Sequence, residues 1–208
     1  MGGRGNEPPE NESGEVGRRL RLWLATTLGG ALAALGLLVG PSAAGASTTA
    51  SPTVTGTITG GALSIATTAA PTFSANLATG DSTPTFAIPF AVTDTTGTGA
   101  GWNLTVTSTQ YTTGGTTPHT LAANASTMTG VTSTCAGGTC TNPTNAITYP
   151  LGVPAAATAP TAVKFFNAAA ATGLGSFTVT PAVGVFVPGS TFAGSYTSTI
   201  TASIVSGP

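Results

Sequence analysis

Residues 85–107 read TFAIPFAVTDTTGTGAGWNLTVT, and this stretch decides the fold class. Phe86, Ile88, Phe90 and Val92 share one parity, while Thr85, Ala87, Pro89, Ala91 and Thr93 take the other. Beyond a glycine-rich break, Trp102, Leu104 and Val106 alternate with Asn103, Thr105 and Thr107. Successive side chains of a strand point to opposite faces, so a period of two predicts half-buried strands. The aromatic and β-branched residues that fill the pattern suit a pleated surface.

The same alternation recurs to the end of the chain. Phe177 and Val179 alternate with Thr178 and Thr180, and Val183, Val185 and Val187 continue their parity as one long strand that bends at Pro181. Tyr196, Ile200, Ala202 and Ile204 alternate with Thr197, Thr199, Thr201 and Ser203. Gly60-Gly61, Gly114-Gly115 and Pro188-Gly189 punctuate the runs as turns. The alanine-rich stretches at Ala155–Ala159 and Ala168–Ala171 are flanked by proline and glycine, and no helical stripe extends them. The expected class is all-β, an antiparallel sandwich or barrel-like domain of roughly eight to ten strands.

Charge is nearly absent from this part of the chain. From Ser47 to Pro208 only Asp81, Asp94 and Lys164 are charged, beside a single histidine, His119. Threonine fills 41 of those positions and takes the outward places that lysine and glutamate usually hold. Without a basic patch, nucleic-acid binding by phosphate neutralisation is excluded. Weak mutual repulsion and strand edges without lysine leave self-association open.

The remaining charges lie in the first 21 residues. Arg18, Arg19 and Arg21 precede an apolar run from Leu22 to Val39 and the small-residue site Ala44-Gly45-Ala46. That order is expected of a secretory signal peptide over residues 1–46, cut after Ala46, with an uncleaved anchor as the alternative. The membrane is then met only during export. Four glutamates ahead of the arginines fit such a leader poorly and suggest initiation nearer Val16. Residues 47–54 read as a Thr/Ser/Pro linker, and residues 55–208 as one β-domain.

Cys135 and Cys140 frame a short loop in an exported chain, so a structural disulfide is expected. Two thiolates and one distant histidine do not make a four-ligand metal set, and no cofactor is expected. Asp81 and Asp94 are the only carboxylates available to the domain, each in a turn-like setting. No serine sits in a nucleophile elbow, and His119 reads as a solvated loop residue. These observations predict no enzyme.

The segment from Val92 through Asp94, Gly97, Gly99 and Gly101 to Trp102, Leu104 and Val106 resembles the WxL domain of bacterial cell-surface proteins. In that family a valine–aspartate strand end runs through a Gly-rich turn into a Trp-x-Leu strand. Gly61-Ala-Leu63-Ser-Ile65 and Val187-Pro188 with Ala193-Gly194-Ser-Tyr196 are looser matches, so the resemblance spans about residues 55–208. The family carries a second Trp-x-Leu in its last strand, and register places Ala202-Ser203-Ile204 there. The resemblance implies non-covalent attachment to the Gram-positive wall through peptidoglycan, beside other surface proteins.

Trp102, Leu104 and Asp94 are the candidate binding residues that follow. By alternation Trp102 and Leu104 point inward with Val106, which makes Trp102 a core aromatic; its functional alternative is an exposed ring stacked on a sugar. Asp94 caps the turn by accepting backbone N–H groups, or alternatively meets a sugar hydroxyl. The expected function is a secreted, wall-associated domain that binds a wall polymer or neighbouring surface proteins. The alternative is a structural subunit of a surface fibre or layer assembled by strand-edge pairing.

Overall fold

The computed structural model describes residues 49–208. The expected signal peptide and its cut after Ala46 therefore lie outside the described residues. The compact unit runs from Val54 to Pro208.

Ten strands form two sheets among the described residues. In chain order they are β1 (Leu63–Ala66), β2 (Thr85–Ala87), β3 (Phe90–Asp94), β4 (Trp102–Thr109) and β5 (Ser126–Gly137). Then follow β6 (Leu151–Gly152), β7 (Ala155–Ala156), β8 (Val163–Ala168), β9 (Gly175–Val185) and β10 (Ile200–Ser206). One sheet runs β1-β3-β9-β5-β6, with β2 also on β9; the other runs β10-β4-β7, with β8 also on β4. Every pairing is antiparallel except that of β4 with β7. The all-β expectation holds.

The inner faces follow the parity of the sequence. Trp102, Leu104 and Val106 of β4 meet Phe90 and Val92 of β3 and Phe177 and Val179 of β9 in one buried cluster. The outward positions of β4 are partly exposed Asn103, Thr105 and Thr107. Both Phe165 and Phe166 of β8 are buried, against strict alternation. The cause is a register shift against β4 between Leu104 and Thr105, which leaves Phe165 as an extra residue free to turn inward.

Pro181 sits inside β9, as a long strand bent there requires. Its carbonyl accepts from the Ile88 backbone N–H at 3.1 Å. A strand residue aims its N–H and C=O the same way, so the missing donor faces the break between β2 and β3 and no ladder bond is lost. The alanine-rich stretches are not helical: Ala155 and Ala156 form β7, and Ala168 ends β8. Among the described residues the one helical turn is a 3₁₀ segment at Leu77–Thr79, capped by the Asn76 side chain.

Candidate functional site

The glycine-rich turn between β3 and β4 is built around two buried groups. The Asp94 side chain is 3% exposed because its parity continues that of Val92. Its Oδ1 accepts from the Thr96 N–H at 3.0 Å and the Thr96 hydroxyl at 2.7 Å. Gly97, Gly99 and Gly101 all have positive φ, a region that costs other residues steric strain.

The Trp102 side chain is fully buried, with Phe166 and Phe177 as ring neighbours at 5.9 and 6.4 Å. Its indole Nε1 donates to the Gly173 carbonyl at 2.9 Å, so the only polar atom of the ring is satisfied inside the core. A Cβ at Gly173 would stand 2.6 Å from that nitrogen, so only glycine fits there. Leu104 is also fully buried. The residue between them faces out: the Asn103 amide donates to the Gly207 carbonyl at 2.8 Å and ties the chain's end to β4.

The burial agrees with the reading of Trp102 as a core aromatic; the alternative, a ring stacked on a sugar, would need an exposed face that the ring lacks here. Asp94 is likewise closed to a sugar hydroxyl by its place inside the turn. Asp81 accepts the Gly189 N–H at 2.7 Å, so both carboxylates of the domain serve backbone caps. Cys135 and Cys140 form a disulfide at the end of β5, as expected. Among the described residues no three His, Cys, Asp or Glu side chains come together as a metal site.

Aromatics of graded exposure, from buried Tyr111 to exposed Phe192, gather at the other end of β4. Eight residues separate that end from the turn, about 25 Å at strand rise. A groove of about 970 Å³ opens there, lined by Phe73, Phe86, Tyr111, Phe192 and Tyr196 with a rim that includes Thr72, Thr191 and Ser198. Phe73 stacks beside Phe86 at 6.1 Å and meets Tyr111 edge-on at 5.5 Å. Burial raises the Tyr111 phenol above its ordinary pKa, against a smaller lowering by a hydrogen bond to Ser126. Its hydroxyl is therefore a neutral group at physiological pH.

Phe192 is 63% exposed and lies flat on the His119 imidazole, centroids 3.9 Å apart and planes 12° apart. His119 is half-buried rather than solvated, since the Phe192 ring covers it and its main chain pairs with Thr113. The Tyr196 hydroxyl donates to the Phe192 carbonyl at 2.9 Å and fixes that loop. In the sequence Phe86 and Tyr196 read only as strand positions, and Phe73, Tyr111 and Phe192 carry no expectation. Phe73 and Phe192 sit in loops without period, each following a threonine, and Tyr196 lies in the loop before β10 although its parity continues that of Ile200.

Fold and turn together define an all-β sandwich domain whose Trp-x-Leu strand lies in its core. Residues 48–208 match the family described as WxL domain, surface cell wall-binding, and the chain belongs to that family. No curated protein and no solved structure matches the chain.

Proposed function

We propose that this domain attaches non-covalently to the peptidoglycan of the wall through the aromatic groove, and performs no catalysis. The observation that carries the reading is the groove itself. One exposed ring (Phe192) and the half-buried Phe73, Phe86 and Tyr196 line it above the buried Tyr111, threonine and serine hydroxyls lie among them, and its lining holds no charged side chain. Flat aromatic faces suit the C–H faces of sugar rings, and threonine and serine suit their hydroxyl and acetamido groups. An anionic polymer would find no cation there. Trp102, Leu104 and Asp94 act indirectly, by holding the turn and the strand that leads to Tyr111. Export by the N-terminal signal, cleavage after Ala46 and a short linker over residues 47–54 complete this reading.

The test is co-sedimentation of the chain beginning at Ser47 with purified sacculi. Retention is expected at low salt and again in about 1 M salt, where the Debye length is only about 3 Å. Phe192→Ala with Tyr196→Ala removes retention while the fold survives. Release by salt, or full retention by the double variant, refutes the groove.

A further inference from the structure

The segment Thr53–Thr59, TVTGTIT, has the composition of a strand and the surroundings of none. Six of its seven residues are β-branched, the class that favours extended chain. Val54, Gly56 and Ile58 share one side of such a strand, with threonines on the other. Every residue of it is exposed; Val54 keeps 91% and Ile58 99% of its surface. Among the described residues no backbone hydrogen bond reaches it, the first in the chain being Gly61 N–H to the Thr95 carbonyl at 2.7 Å.

A complementary feature lies on the second sheet. β10 pairs with β4 along all seven of its residues without a register shift, and nothing pairs with its other side among the described residues. It holds no charge and no proline, and Val205 is 53% exposed. Such a long, straight, unguarded edge is a template for another strand. The other edges are guarded. β1 has four residues. At the far edge β6 has two residues, and the length of β5 that it leaves uncovered shifts register twice and ends in the disulfide. β8 carries Lys164 and a bulge, and its Asn167 is engaged by Asn145 and Ala146.

We propose that the N-terminal segment Thr53–Thr59 of one copy adds as a strand to the β10 edge of a second copy. Donor and acceptor match in length at seven residues each. Neither bears an ionisable side chain, so no charge opposes their approach, and pairing covers Val54 and Ile58. Main-chain hydrogen bonds supply the attraction, as in other strand additions. The contact is heterologous: each copy that donates its segment still offers its own β10, so copies join in open chains rather than closed dimers. The groove plays no part in it.

Sedimentation of the chain beginning at Ser47, over a range of concentrations, tests this. The mass is expected to grow with concentration past that of a dimer. Amides of residues 200–206 gain protection from hydrogen exchange over the same range. Val54→Asp with Ile58→Asp holds the protein at monomer mass and removes the added protection; both sites are exposed, so the melting temperature stays unchanged. A synthetic peptide of residues 53–59 likewise shortens the chains. Monomers at every concentration overturn the proposal, as does association that survives the double variant or leaves the β10 amides unprotected.

Discussion

Replacing Trp102 by phenylalanine separates a core role from a contact with the wall. The substitution keeps an aromatic ring between Phe166 and Phe177 but removes the indole N–H that donates to the Gly173 carbonyl at 2.9 Å. Losing one buried hydrogen bond and stranding its acceptor costs about 1–2 kcal/mol. The smaller ring leaves a void in a site with no exposure, worth about 1 kcal/mol more. The sum is about 2–3 kcal/mol, which for a domain of this size lowers the melting temperature by about 4–12 °C. Urea titration measures the first quantity and thermal unfolding the second. Sacculus retention of the variant, measured well below its melting point, is expected to equal that of the parent. Unchanged stability with lost retention would refute the reasoning, since it would mean that the indole meets the wall directly.

Gly173→Ala attacks the same site from the opposite side: it forces a carbon toward the indole nitrogen and an alanine into φ 75°, with an expected cost of about 2–4 kcal/mol by urea titration. Opening the Cys135–Cys140 bridge with serines removes a short loop constraint worth about 2 kcal/mol, read as a lower melting temperature with sacculus retention intact. Burial holds the Tyr111 and Tyr149 phenols above the ordinary value of 10.0, against smaller opposing hydrogen bonds from Ser126 and Asn145. The unfolded chain therefore loses these protons first, and the stabilisation present below about pH 10 is lost as pH rises through the folded values. A urea midpoint that falls on raising the pH above 10 checks this.

Much of the sandwich was legible because inward and outward residues differ so sharply. The runs Phe90-Val92, Trp102-Leu104-Val106 and Phe177-Val179 bury the side their parity assigned. β6 and β7 escaped notice because two residues cannot display a period. Asp94 read as a turn cap, and its burial needed one further step of the same parity count. The groove was not legible: Phe73, Tyr111 and the pair Phe192 and Tyr196 come from three separate connections, and only the fold brings them together. The inward direction of Trp102 was legible, but its fixed partner, Gly173, lies 71 residues along the chain and shares no pattern with it. A conspicuous tryptophan drew the binding expectation to the turn, while the less conspicuous loop aromatics carry the exposed surface.

Charge scarcity takes on a physical meaning in this arrangement. Asp81 and Asp94 cap backbone, and the groove is neutral. Threonine supplies outward hydroxyls that meet water or a glycan without ionic selectivity. Under the proposed reading, adhesion is expected to be insensitive to salt, in contrast to attachment through charged polymers.

In the proposed reading the groove, and not the tryptophan turn, meets the wall. Backbone amide chemical shifts of the labelled domain, recorded while soluble peptidoglycan fragments are added, test it most directly. Perturbations are expected at Phe73, Tyr111, Phe192 and Tyr196 and around His119, with residues 97–104 unmoved. Perturbations confined to residues 97–104 would contradict it.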